Sequence, residues 1–211
     1  KIDSEYVLIC DPDDWLSKDA ISTLVKAAEE NDADLTVGAK YLVFSDDGEE
    51  TYDKSFNEEF GILKPNTVYK AHTKEFDALY FLEPSPHAKL YKTKMVKKCK
   101  FPFKVSYTDN LLYFLTLARS KKVVYVDKAV SYYLINREGN TRTDLRPTVI
   151  DAWLTVFKSI MSQTENFDDI FYYRMFEAFK SIYYKVDQIN ADKALYEEKL
   201  RNTYEFLELL L

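Results

Sequence analysis

The apolar run Tyr6-Val7-Leu8-Ile9-Cys10 ends abruptly in Asp11-Pro12-Asp13-Asp14-Trp15-Leu16. Such a short run reads as a strand, Tyr6 to Cys10, buried on both faces in the manner of parallel strands. Carboxylates placed directly after it lie at the strand's C-terminal end, where open α/β sheets take their ligands. Asp11 and Asp13 form an Asp-x-Asp pair. Hard oxygens on a short turn suit a divalent cation such as Mg²⁺ or Mn²⁺, with a diphosphate completing the shell. The same letters also describe an ordinary strand–turn–helix join, in which an aspartate or Ser17 caps the next helix.

Composition narrows the choices. A chain of 211 residues, 46% hydrophobic, suits one domain or one domain with an appended subdomain. A net charge of −6 argues against a general nucleic-acid binder, so no nucleic-acid partner is expected, while a local basic patch stays open. Cys10 and Cys99 are too few for a disulfide framework and lack metal-site spacing, which points to a reducing, cytoplasmic setting. His72 and His87 are too far apart in sequence to suggest a histidine-rich metal site. Four glycines leave no Gly-x-Gly-x-x-Gly or Walker loop, so phosphate chemistry would rest on a metal and basic side chains. No run is apolar enough to be a signal peptide or a membrane span. The opening Lys1-Ile2-Asp3-Ser4-Glu5, without Met, reads as the start of an excised piece of a longer polypeptide.

The periodicity predicts a helix over Ile21 to Glu30, with Ser17 as N-cap and Asp19 at its positive end, then a strand over Ala33 to Phe44. Asp46-Asp47-Gly48 is a turn, and Thr51 to Phe56 a returning hairpin partner. Asn57 to Thr73 reads as irregular, Lys74 to Phe81 as a short helix, Ala88 to Tyr91 as a strand, Lys94 to Lys98 as a brief helix and Phe101-Pro102-Phe103 as a connector. A helix begins at Thr108. Two strands follow, Lys122 to Asp127 and Ala129 to Ile135, then a charged loop from Asn136 to Asp144. Val149 to Met161, Asp168 to Val186 and Ala191 to Leu211 are helical, and the apolar stripe from Phe171 to Val186 has core spacing.

Several of these pieces carry a family resemblance. Glu5 to Leu16 is similar to the strand and Asp-x-Asp turn of family 2 glycosyltransferases of the GT-A fold. Asn31 to Gly38 resembles the strand that follows in that family. Pro86-His87-Ala88-Lys89-Leu90-Tyr91-Lys92, Phe101 to Leu112, and Tyr132-Tyr133 with the Arg137 to Thr143 loop resemble its later elements, in the family's order. The resemblance spans about Lys1 to Thr143. The tail loosely resembles helical extensions of bacterial enzymes that decorate teichoic acids or build capsular and exopolysaccharide. The fold implied is α/β, a partial GT-A (Rossmann-like) mixed sheet flanked by helices over residues 1–144, followed by an α-helical subdomain over 145–211. Two departures stand out. The family's N-terminal half, which holds the nucleotide base and ribose, does not precede the acidic turn, so the chain as given is expected to lack most of the nucleotide pocket. The family's Glu-Asp pair reads Thr108-Asp109.

The resemblance implies transfer of a sugar from a nucleotide-sugar donor, a UDP-sugar, to an acceptor hydroxyl, with inversion. The acceptor would be a bacterial surface polysaccharide, a polyol-phosphate polymer such as teichoic acid, or a lipid-linked precursor. Asp13 would bind Mn²⁺ or Mg²⁺, with Asp11 beside the ribose or supporting the metal and Asp14 near the donor or bracing the turn. Asp109 would be the general base. The alternative for Asp109 is a helix cap, whose pKa would be low. Arg137 and Arg142 would close on the diphosphate, and His87 and Lys89 would line the acceptor side. Trp15 is read as packing. Lys94, Lys97, Lys98 and Lys100 are read as a solvated helix face, with attraction to an anionic polymer or to the inner face of the membrane as the alternative. The helical tail is a candidate for self-association. Competing readings are a non-catalytic scaffold derived from a glycosyltransferase and, with less support, a phosphotransferase.

Overall fold

The computed structural model describes residues 3–56, 63–136, 144–164 and 167–211. Along the chain run β1 (Tyr6–Leu8), β2 (Trp15–Leu16), α1 (Ala20–Asn31), β3 (Leu35–Phe44), β4 (Glu50–Asp53), β5 (Thr67–Lys70) and α2 (Lys74–Asp77), which continues as a 3-10 turn over Ala78–Phe81. Then come β6 (Lys89–Lys92), α3 (Thr93–Val96), α4 (Thr108–Arg119), β7 (Lys122–Ile135), α5 (Thr148–Ser162), α6 (Asp169–Val186) and α7 (Lys193–Glu208). The strands form one mixed sheet in the order β1-β6-β3-β7-β2, with β4 added to β3 and β5 to β7.

The sheet is built on the long parallel pair β3 and β7, in register from Leu35 opposite Val123 to Phe44 opposite Ile135. The register shifts around Gly38, Ala39 and Lys40. A Cβ on Gly38 would lie 2.9 Å from Val130 Cγ2 and 3.3 Å from the Lys128 carbonyl, so this close approach requires glycine. The strands alternate between two covers, as a period of two demands. Ala88, Leu90 and Val130 pack on Ala20, Leu24 and Ala28 of α1. Leu35, Val37, Tyr91 and Tyr125 join the main core with α4. That same core continues through Ile150, Phe157, Phe171, Ile182 and Phe206 of the tail helices. Ring contacts mark the joint: Phe114 to Phe157 at 6.5 Å and Tyr80 to Phe171 at 6.3 Å between centroids.

Several expectations need correction. The first strand is three residues long, half-buried and antiparallel to β6, not a parallel strand buried on both faces. It meets a partner on one side only among the described residues, so its outer edge gains no cover. Ser17 is not the N-cap of α1. Asp19 holds that position without a side-chain cap bond; Ser17 Oγ donates to Asp19 Oδ1, and Lys128 pairs with Asp19. The supposedly irregular stretch before Thr73 contains β5, paired with β7; residues 57–62 of it lie outside the described residues. The two strands expected after α4 are one continuous strand: the exposed Asp127 and Lys128 bulge out between Val126, opposite Gly38, and Ala129, opposite Ala39, and pairing resumes beyond them. Trp15 and Leu16, which follow the acidic turn and carry no predicted strand, form β2 on Tyr132 and Ser131.

Candidate active site

Pairing explains why distant residues meet. Leu8 lies opposite Leu90, so the chain leaving β1 runs past the start of β6, beside His87 and Ala88. β2 then fixes Trp15 against Tyr132 and brings Asp14 beside the end of β7. The Trp15 ring stacks on Tyr132 at 5.2 Å, the packing role expected of it.

A cleft of about 230 Å³ opens where these segments meet α4. Asp11, Pro86, Phe101, Tyr107 and Asp109 all line it. A larger cavity of about 540 Å³, between β5 and α2, shares no residue with it. Chemistry, not size, singles out the smaller one, since it joins the acidic turn to the carboxylate at the start of α4.

Asp109 is the second residue of α4. It is not the N-cap: Tyr107 occupies that position, in the left-handed region at φ 65°. A bulky residue held there is a strained arrangement of the kind that gathers at functional sites. Burial pushes the Asp109 carboxyl above the usual range, against the opposing effects of Asn110 hydrogen bonds and the Lys89 charge. A base with a raised pKa is a better proton acceptor than the low-pKa cap that sequence reasoning offered as the alternative.

Asp14 is the brace of the turn. Its Oδ1 accepts the Leu134 backbone N–H at 2.9 Å, and its Oδ2 lies 2.6 Å from His87 Nε2. His87 is buried and stacks on Tyr133 at 4.2 Å. Burial lowers its pKa, although Asp14 opposes the shift. The shift favours the neutral imidazole, and its buried Nδ1 meets no hydrogen-bond partner among the described residues. Ala88, next in the chain, is also left-handed, at φ 55°.

Two lysines lie wholly inside the protein beneath this segment. Lys89 is fully buried, with Nζ 2.7 Å from the Ser85 carbonyl and 3.4 Å from that of His87, and it lies over the Tyr113 ring. Burial, with the neighbouring charge of Lys40, drops its pKa to about 7. Its ammonium thus braces the 85–87 segment from below and offers no surface to an acceptor, which corrects the expectation of direct contact. Lys40, on β3, pairs with Glu83 and lies 3.4 Å from Asp53. Sequence reasoning missed Lys40 and Glu83; the available signal was a lysine in the middle of an otherwise apolar strand.

Asp11 is exposed and Asp13 half-buried on the turn. Arg137 and Arg142 lie outside the described residues. Among the described residues, Asp11, Asp14 and His87 each offer a ligand atom, all within 4.8 Å of one another. Two carboxylates with a neutral imidazole fit Mn²⁺ better than Mg²⁺, which prefers oxygen alone. Asp13, the residue the resemblance marks for the cation, lies outside that group.

The chain is 27% identical over 172 residues to glycosyltransferase GlyA of Streptococcus pneumoniae serotype 4, covering 75% of this chain and 22% of GlyA. It superposes on Staphylococcus aureus TarS in complex with UDP-GlcNAc with a TM-score of 0.63 at 14% identity, covering 100% of this chain and 59% of the TarS chain. Against the TarS complex with UDP the TM-score is 0.51 at 18% identity, covering 98% and 47%. The chain thus spans less than two thirds of each of these relatives, and the TarS likeness establishes a shared fold. Residues 1–100, from before the first strand through the acidic turn to just past α3, match the model of Glycosyl transferase family 2.

Proposed function

We propose that this chain forms the acceptor-side and metal-side part of a glycosyltransferase site. It would move a sugar from a UDP-sugar to an acceptor hydroxyl, with inversion. The observation that carries the reading is the shared cleft: Asp11 from the turn after β1 and Asp109 from the start of α4 face one space. Asp109, with its pKa raised by burial, takes the hydroxyl proton. Asp11, with Asp14 and His87, would hold Mn²⁺, and the cation would neutralise charge on the departing diphosphate. Before coordination Asp14 keeps His87 in place, a bond that would give way as both side chains turn to the cation, and Lys89 fixes the segment that carries His87. Asp13, Arg137 and Arg142 are proposed to contact the metal or the diphosphate from the donor side. UDP-GlcNAc, the nucleotide sugar bound in the TarS structure, is the first donor to try. A bacterial surface polysaccharide, a polyol-phosphate polymer or a lipid-linked precursor is the proposed acceptor class.

The test is sugar transfer by the protein that contains this chain, with and without Mn²⁺. Asp109→Asn and Asp11→Asn are each expected to lower kcat at least about a hundredfold, the usual worth of a positioned base or its electrostatic partner. Full turnover in both variants would remove the assignment and favour the scaffold reading.

A further inference from the structure

The charge of this chain is unevenly placed. Its net charge is −6, yet the stretch from Pro84 to Thr108 holds seven lysines and no acidic residue. Five of them, Lys94, Lys97, Lys98, Lys100 and Lys104, are exposed. Between them stand Phe101, 46% exposed, and Phe103, 84% exposed. Sequence reading treated this Phe-Pro-Phe as a connector, but an aromatic pair turned outward costs solvation and asks for a reason.

The base of this loop is held firmly. Gln163 accepts from the Lys100 backbone N–H at 2.7 Å and donates to its carbonyl at 2.8 Å. Arg119 donates to the Lys98 carbonyl at 3.3 Å and to that of Gln163 at 2.9 Å. Cys99 is buried between them. The loop is therefore a fixed projection whose tip is apolar and whose flanks are cationic. That combination matches an anionic lipid interface, where aromatic rings enter the acyl boundary and lysines meet headgroups. A soluble polyanion would satisfy the lysines and leave the rings in water.

We propose that the loop Lys98–Lys104 docks this protein on an anionic phospholipid surface, with Phe101 and Phe103 as the inserted side chains. Phe101 also lines the candidate cleft, so docking sets the cleft mouth against the membrane. An acceptor carried on a lipid would then reach Asp109 without leaving the interface. No helix among the described residues is long and apolar enough to cross a membrane, so attachment of this kind is peripheral.

The test is co-sedimentation of the folded chain with vesicles, which reads binding independently of any sugar transfer. Phosphatidylcholine vesicles should leave it in solution; vesicles containing phosphatidylglycerol should carry it down at low salt and release it at about 0.5 M salt, where charge is screened. Phe103→Ser, at an exposed position that folding does not need, should weaken binding about tenfold, the loss of one inserted aromatic side chain. The double change Lys98→Glu, Lys100→Glu should weaken it at least as much. Absence of binding to anionic vesicles by the folded chain would overturn the proposal. So would binding that the lysine changes reduce, Phe103→Ser leaves intact and inorganic polyphosphate displaces, because that pattern belongs to a soluble polyanion.

Discussion

At the scale of single residues, Asp109 carries the clearest conflict between stability and function. Its folded-state pKa is raised, mainly by burial, whereas an unfolded aspartate titrates near about 3.9. Below the unfolded value both states are protonated and burial costs nothing. As pH rises through the folded value the native carboxylate must ionise where ionisation is unfavourable, so the penalty grows and is complete above it. Asp109→Asn removes that penalty. We expect the variant to be more stable than the native chain at pH 7 by about 1 kcal/mol, a size common for stabilising changes at functional sites. The difference should shrink to nothing as pH falls below about 4. Melting curves across that range decide it: a variant less stable at pH 7 would mean that Asp109 is a structural partner of the Lys89 charge and not a strained base.

At the scale of elements, β3 and β7 decide the geometry, and Gly38 is their weak point. A larger side chain there meets Val130 and the Lys128 carbonyl. Gly38→Val is expected to cost about 1–3 kcal/mol, the range for overpacking a filled interior. Urea unfolding should show a lower midpoint with an unchanged slope; an unchanged midpoint would mean that the strands part locally at no cost. The element scale also shows what could be read in advance. The helices α1, α4, α5, α6 and α7 were legible because each repeats apolar residues at helical spacing over three turns or more. β2 and β5 were not, because strands of two and four residues exist through their pairing with β7 and carry too few residues for a pattern. Lys128 looked like a break between two strands because a charged residue interrupts the apolar pattern; Asp127 and Lys128 are instead the exposed bulge of a continuous strand, held by Tyr52 and Asp19. In the site, Asp11 and Asp109 could be singled out by type and position. The bond between Asp14 and His87 could not, because it joins residues 73 positions apart through the register of β1 on β6.

At the scale of the whole molecule, the question is whether residues 1–144 and 145–211 stand as separate units. The main core runs without interruption from Leu35 on the sheet to Phe206 on α7. The tail also reaches the site, since Trp153 of α5 packs edge-on against Tyr107 at 5.5 Å, directly before the helix that carries Asp109. A shared core predicts one cooperative transition. The chain holds two tryptophans, Trp15 beside the sheet and Trp153 in the tail, so each part has its own reporter. Trp153→Phe leaves Trp15 to report the sheet, and Trp15→Phe leaves Trp153 to report the tail. With either reporter, Phe206→Ala should lower stability by about 3–5 kcal/mol, the cost of emptying an aromatic core site, although Phe206 is remote in sequence from the sheet. If the Trp153 signal moves and the Trp15 signal stays, the tail unfolds by itself and the division at 144/145 marks two thermodynamic units. If both move together, the helical extension is part of the structure that keeps Tyr107, and through it Asp109, in place.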